Sequence, residues 1–158
     1  MGSGITIRYY GLPNWKGLLE VFAKRIKNDE FIYSAYYNRA KQETYNENEI
    51  YQVMASLIEK DFNKKWYEDA SFRAKLDEVY VEEIKNGCSA FKAEIAQFIK
   101  NNSVLKEQYN DEIVKLKEIS KNSLSGIITT NYDTFFEEKL EDLKKYVSQE
   151  ELLFSNIQ

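Results

Sequence analysis

Residues 50–66 read IYQVMASLIEKDFNKKW, and the spacing of their apolar side chains decides the class of the fold. Apolar residues recur every three or four positions, which puts them on one face of an α-helix and leaves the charged residues on the other. These residues are Ile50, Val53, Met54, Leu57, Ile58, Phe62 and Trp66. Asn46 and Glu49 have the spacing of a capping box, which predicts the start of this long amphipathic helix.

The same helical period recurs in most of the chain. Further helices are predicted near residues 18–26, 31–45, 76–84, 91–99 and 105–119. Asn14 is a suitable N-cap residue for the first of these, and Asn86 with Gly87 forms a suitable C-cap pair for the third. The apolar faces of such helices can also serve assembly between protein chains. The sequence therefore predicts a mainly helical protein.

One stretch carries a convincing strand pattern. Residues 126–130 read GIITT, a short β-branched run that fits a buried strand of a parallel sheet. Thr134 and Glu137 have capping-box spacing and predict a helix over residues 135–143, and a weaker strand is predicted at 145–148. We therefore predict an α/β fold that is mostly helical. Because a parallel strand needs neighbours to pair its edges, we expect other strands of the sheet to be missing from this sequence.

The composition excludes several classes of function. The 158 residues suit one domain, and they include 22 Lys and Arg, 26 Asp and Glu, one Cys and no His, with a net charge of -4. One cysteine excludes an internal disulfide and a cysteine-based zinc site, and the negative charge argues against nucleic acid. The sequence has no apolar run long enough to span a membrane and no signal-peptide pattern. It also lacks histidine, the commonest general base. We expect a cytoplasmic protein with no metal, nucleic-acid or membrane partner.

Three short segments carry residues suited to a nucleotide. Residues 2–6 read GSGIT, a glycine-spaced loop of the kind whose backbone N–H groups approach a phosphate. Residues 11–15 read GLPNW, which taken alone fits a turn that leads into a capped helix. Residues 129–133 read TTNYD and follow the predicted strand, at the sheet edge where ligands bind in open α/β folds. Asn131 and Asp133 could hold sugar hydroxyls there or cap the next helix.

In this order, the three segments resemble the SIR2-like (sirtuin-related) NAD-consuming family, and most closely its members in bacterial anti-phage defence. Residues 149–156, QEELLFSN, also look like the stretch that follows the TTNYD helix in that group. The resemblance implies a partial Rossmann-like SIR2 fold with few parallel strands. Residues 1–158 would form a single partial domain of this kind, in which residues 16–125 are a large helical insertion.

The resemblance also implies roles for individual residues. Those at the NAD phosphates would be Gly2, Ser3, Gly4 and Thr6, and those near the nicotinamide would be Leu12, Pro13 and Trp15. The catalytic residues would be Asn131, which contacts the ribose and positions the attacking water, and Asp133, which orients Asn131 or its loop. Trp15 is equally suited to anchor its helix in the core. Thr130 departs from the glutamine of deacylase-type members, and the lone Cys88 excludes their four-cysteine zinc site.

The implied activity is hydrolysis of NAD+, as substrate, to nicotinamide and ADP-ribose. Family members also use a histidine in an HG motif, expected shortly beyond Gln158, and an apolar strand before their glycine loop. We therefore expect an N-terminal fragment of a larger protein, with little or no activity by itself. The alternative is a non-enzymatic helical module for interaction or oligomerisation, or an inactive fragment that retains the motifs. A homo-oligomer is expected, formed through the helical region or through other domains of the parent.

Overall fold

A computed structural model of the chain describes residues 4–47, 49–123, 127, 129 and 134–140. Of these residues, 74% lie in helices and none lies in a strand, which confirms the prediction of a mostly helical protein. The strands predicted at 126–130 and 145–148 lie outside the described residues, except for Ile127 and Thr129, which belong to neither a helix nor a strand. Within the described ranges, no helix is both long and apolar enough to cross a lipid bilayer.

The described part of the chain forms eight α-helices. They are α1 (Gly4–Tyr9), α2 (Trp15–Ile26), α3 (Ile32–Glu43), α4 (Ile50–Glu68), α5 (Glu78–Lys85), α6 (Ala90–Asn102), α7 (Asn110–Ser123) and α8 (Phe135–Lys139), with short 3-10 helices at Ala70–Phe72 and Glu107–Tyr109. The chain divides into two compact units. We call Leu12–Asn102 the central unit, and Met1–Gly11 with Ser103–Gln158 the terminal unit. The helical insertion predicted at 16–125 is therefore longer than the central unit.

Helix α4 is the centre of the central unit and packs against α2, α3 and α6. Its buried side chains recur at every fourth position, on the face that the sequence predicts. Phe22 of α2 and Phe62 of α4 both contact Phe91 of α6, with ring centroids 5.5 and 5.4 Å from the Phe91 centroid. Because burying a phenylalanine contributes about 1.5–3 kcal/mol, this aromatic contact is a main link between the three helices.

The predicted ends of two helices are confirmed. The Asn14 side chain caps α2 by accepting a hydrogen bond from the Gly17 backbone N–H at 2.9 Å. Gly17 lies so close to the preceding turn that a Cβ there would be 3.0 Å from the Cβ of Pro13. Helix α5 ends at the predicted pair, with Asn86 as its C-cap and Gly87 at a φ of +97°, which favours glycine.

Both predicted capping boxes are wrong. Before α4, the Glu49 backbone N–H donates to the Asn46 carbonyl at 2.9 Å and closes a turn, so the helix begins after Glu49 rather than after Asn46. The Asn46 side-chain amide donates to the Glu49 carboxylate at 2.9 Å. Helix α8 begins after Thr134 as predicted, but the Thr134 hydroxyl donates to the Glu138 carboxylate and α8 is shorter than predicted.

A buried carboxylate joins three helices of the central unit. The Glu94 side chain on α6 has 0% exposed surface, and one of its oxygens lies 2.5 Å from a guanidinium nitrogen of Arg25 on α2. Its other oxygen accepts hydrogen bonds from the Trp66 indole N–H on α4 at 2.7 Å and from the Ala74 backbone N–H at 3.1 Å. The Arg25 guanidinium also lies 5.2–5.5 Å from the centroids of three phenylalanine rings. Since an unpaired buried charge is costly, these partners constrain how the helices pack.

Replacing Glu94 with alanine should lower the free energy of unfolding by about 3 kcal/mol, because Arg25, the Trp66 indole and the Ala74 N–H all lose their acceptor. Glu94→Gln keeps an acceptor for the two neutral donors and should cost less. The matched control is Glu59→Ala on α4, which removes a partly exposed carboxylate 3.7 Å from Lys92 and should cost less than about 1 kcal/mol. Urea unfolding followed by circular dichroism measures all three, and equal losses for Glu94→Ala and Glu59→Ala would contradict the role assigned to Glu94.

Candidate functional site

The residues that the sequence assigns to an NAD site fall into three groups in the structure. The terminal unit contains Gly4 and Thr6, and the central unit contains Leu12, Pro13 and Trp15. Outside the described residues lie Gly2, Ser3, Asn131 and Asp133. The described part of the candidate site therefore consists of the end of the glycine motif, the GLPNW segment and the helix that follows the TTNYD motif.

The glycine motif runs into a helix. Gly4 is the first residue of α1, is exposed, and has nothing within 4 Å of the position that a Cβ would occupy. Thr6 is buried in the same helix, and its carbonyl oxygen accepts hydrogen bonds from the backbone N–H groups of Tyr10 at 3.0 Å and Gly11 at 3.2 Å. Residues 4–6 are thus helical, where the sequence predicts a loop. The open space at Gly4 would allow another group to approach its backbone.

The GLPNW segment forms the entrance to α2. Leu12 is buried, Pro13 is half-buried, and Trp15 is the first residue of the helix. The Trp15 side chain packs against the apolar core of the central unit. The structure thus gives Trp15 the anchoring contact that the sequence left open as one of two roles, while its role near nicotinamide stays a prediction.

Aromatic side chains connect the glycine motif to the helix after TTNYD. The Tyr9 ring stacks on the buried Phe135 ring with centroids 5.1 Å apart, and the Tyr10 ring meets Phe135 edge-on at 5.4 Å. The Tyr10 hydroxyl donates to the Glu138 carboxylate at 3.4 Å, across 128 residues of sequence. Aromatic pairs in these arrangements add about 0.5–1.5 kcal/mol beyond their burial. Helices α1 and α8 therefore contact each other. Helix α1 includes the end of the glycine motif, and α8 follows the TTNYD motif in sequence.

An ionic contact fixes α1 against α7. The Arg8 guanidinium donates to both carboxylate oxygens of Glu112, at 2.7 and 3.2 Å, and the Tyr9 hydroxyl donates to the same carboxylate at 3.1 Å. The guanidinium also lies 4.8 Å from the centroid of the Tyr109 ring. Hydrogen bonds from Arg8 hold the pKa of Glu112 below its ordinary value, while burial, followed by the bond to Glu112, raises the pKa of Tyr9.

The residues that link these helices were missed by the sequence analysis. Arg8, Tyr9 and Glu112 belong to no recognised motif, and Arg8 and Glu112 are 104 residues apart in sequence. The paired tyrosines after the glycine motif were the only available signal, since aromatic side chains next to a short helix favour packing. Among the described residues, no group of three or more His, Cys, Asp or Glu side chains could hold a metal ion, and Cys88 is a free thiol.

Comparison with known proteins adds no relative. No protein-family model matches the chain, and neither a curated protein nor a solved structure matches it. The resemblance to SIR2-like proteins is therefore carried by the sequence segments alone. The contacts of α1 with α7 and α8 are an independent property of the fold, and they can be tested without reference to a family.

Replacing Arg8 with glutamine should raise the pKa of Glu112 towards its ordinary value of 4.5, because the strongest hydrogen-bond donor to the carboxylate is lost. The lowered pKa of Glu112 also makes the stability of the folded protein depend on pH. A carboxylate with a lowered pKa stabilises the folded protein fully above pH 4.5, and this contribution is lost as the pH falls through the pKa of the folded state. Carbon NMR of the Glu112 carboxyl measures the pKa directly.

The matched control for Arg8→Gln is Lys115→Gln on α7. Lys115 acts on Glu112 only through its charge and is the weakest of the causes that shift the Glu112 pKa. We expect a smaller rise in that pKa for Lys115→Gln than for Arg8→Gln. If the two variants shift the titration equally, or if neither shifts it, the contact between Arg8 and Glu112 does not exist in solution.

Proposed function

We propose that this chain is the NAD-binding region of a SIR2-like NAD+ hydrolase that acts in the cytoplasm in anti-phage defence. The parent protein would cleave the bond between nicotinamide and ribose to give nicotinamide and ADP-ribose. Residues 126–130 would supply one strand of a small Rossmann-like parallel sheet, with the central unit as part of the helical insertion. The ordered set of motifs GSGIT, GLPNW and TTNYD supports this assignment.

The observation that carries the proposal is the contact between α1 and α8. In an NAD site of this family, the glycine motif and the TTNYD motif serve the same ligand, so they have to lie near each other. Tyr9 and Tyr10 at the end of α1 pack on Phe135 at the start of α8. Gly4 lies five residues before Tyr9, and Asp133 lies two residues before Phe135. The two helices in this contact thus carry the end of the glycine motif and follow the TTNYD motif in sequence, which supports the proposal.

The proposed chemistry needs few groups from the protein. Nicotinamide leaves from a cationic ring nitrogen, so no acid has to protonate it. The barrier lies in an oxocarbenium-like ribose carbon, which polar groups aimed at the developing charge can stabilise. Asn131 would hold the ribose and position the attacking water, and Asp133 would orient Asn131 or its loop. The backbone at Gly4, with open space around it, would approach the phosphates.

A second candidate function is favoured by exposed apolar side chains on α7. Val114 is 55% exposed and Ile119 is 52% exposed, on a helix whose remaining surface is largely charged. Apolar side chains at such positions can contact another protein chain. The alternative is therefore a helical interaction module, in which a homo-oligomer forms without any NAD chemistry.

In the longest natural protein that contains this sequence, Asn131→Ala should slow NAD+ hydrolysis by at least about 100-fold, because the group that positions water and ribose is lost. The matched control is Asn122→Ala, at an exposed position on α7, which should leave the rate unchanged. Nicotinamide release, followed by chromatography, gives the rate. Hydrolysis by Asn131→Ala at the wild-type rate would exclude the proposed role of the TTNYD motif.

Gly4→Val should abolish NAD+ binding without lowering the melting temperature, because a Cβ at Gly4 meets no atom of the protein within 4 Å. A side chain there would instead occupy the space through which the phosphates approach the backbone. The control is Gly87→Ala, at a φ of +97° in the central unit, which should lower stability and leave NAD+ affinity intact.

Calorimetry measures the affinity of each of these glycine variants, and light scattering measures the oligomeric state. Equal NAD+ affinities for wild type and Gly4→Val would contradict the role of the glycine motif. Failure of the wild-type protein to bind NAD+, together with a stable oligomer, would instead favour the helical interaction module.

A further inference from the structure

Lys106 lies against the turn that connects the first two motifs. Its backbone N–H donates to the Tyr9 carbonyl oxygen at 3.1 Å, which fixes the residue at the end of α1. Gly11 has a φ of +74°, and a Cβ built there would lie 2.9 Å from the Lys106 ammonium nitrogen and 3.0 Å from Cε. The positive φ favours glycine at this position, and a larger residue would also displace the flexible end of the lysine side chain.

The Lys106 ammonium has no acidic partner among the described residues. Lys106 is exposed, and its side chain takes part in no ion pair or hydrogen bond within that part of the chain. Two carboxylates on neighbouring helices of the terminal unit are engaged with other residues. Glu112 binds Arg8 and Tyr9, and Glu138 binds Tyr10 and the Thr134 hydroxyl. Within the part of the chain that the structure describes, the lysine is therefore a positive charge beside Gly11 without a carboxylate partner.

The proposed NAD site lacks such a charge. None of the residues that the sequence assigns to it is a lysine or an arginine, and its one ionisable side chain, Asp133, is negative. The pyrophosphate of a dinucleotide is also negative, so backbone N–H groups alone would have to balance it in a protein whose net charge is -4. A lysine ammonium can supply a strong, charge-assisted contact to a phosphate oxygen.

We propose that Lys106 is a phosphate-binding cation of the nucleotide site. The inference rests on the proposed function, since it concerns the same ligand. Gly11 follows the helix that carries the glycine motif, and Lys106, Gly11 and that helix all belong to the terminal unit. The competing role is structural: a positive charge near the end of α1 would stabilise its carbonyl groups.

The test compares three variants in the longest natural protein that contains this sequence. Lys106→Met removes the charge and keeps much of the length of the side chain, and Lys106→Arg keeps the charge. The matched control is Lys117→Met on α7, which removes an equally exposed charge from the same unit. Calorimetry measures binding of NAD+, ADP-ribose, inorganic pyrophosphate and the phosphate-free nicotinamide riboside, and a thermal melt measures stability.

We expect Lys106→Met to weaken binding of NAD+, ADP-ribose and pyrophosphate by about tenfold, with binding of nicotinamide riboside and the melting temperature unchanged. Lys106→Arg should retain most of the affinity, and Lys117→Met should match wild type. The affinity of wild type for the phosphate ligands should also fall more steeply with salt than that of Lys106→Met.

Two results would overturn the role of Lys106: equal affinities for Lys106→Met and Lys117→Met, or a lowered melting temperature for Lys106→Met without any specific loss for the phosphate ligands. Failure of the wild-type protein to bind any of the phosphate ligands would overturn both this inference and the proposed function. Binding of pyrophosphate that depends on Lys106, without binding of NAD+, would support the phosphate site and exclude NAD as its ligand.

Discussion

Glu94 carries a carboxylate without exposed surface, and the central unit is arranged around the need to neutralise it. Arg25 supplies the opposite charge from α2, and the Trp66 indole supplies a hydrogen bond from α4. Burying such a pair costs desolvation energy, so an apolar core of the same volume could be as stable. A charge pair does, however, disfavour every packing in which its members are separated. The pair therefore constrains how α2 packs with α6, and the Trp66 bond adds α4, while burial of the apolar faces supplies most of the stability.

The terminal unit depends on a different kind of contact. Its helix α1 has six residues, which is too short to be stable by itself. Its stability comes from Tyr9 and Tyr10, which pack on Phe135, and from Arg8, which binds Glu112. The same contacts hold together two stretches from opposite ends of the sequence. A ligand that needs both the glycine motif and the TTNYD motif would therefore depend on this packing, although none of the packed rings has to touch it.

How far each feature could be predicted depends on how local it is. The helix periods and the caps at Asn14 and Gly87 depend on residues within one or two turns, and they are confirmed by the structure. The capping boxes failed because the same residue spacing also permits side-chain pairs, as between Asn46 and Glu49. The ion pair of Arg25 with Glu94 could not be predicted, because a helical period gives no information about a partner on another helix. The contacts of Lys106 depend on pairing across most of the chain, which a motif cannot reveal.

Two constraints act on Gly11, its backbone conformation and the nearby Lys106 side chain. Its positive φ already favours glycine as the residue that ends α1, so a turn would explain it without any ligand. The Lys106 ammonium adds a weaker demand, because a Cβ at Gly11 would displace the end of the flexible lysine side chain. A turn explains Gly11 without a cation, and the bond from the Lys106 backbone N–H to the Tyr9 carbonyl oxygen explains why Lys106 lies beside it. Neither contact needs the charge of the lysine side chain, so a variant that removes only this charge separates ligand binding from the geometry of the chain.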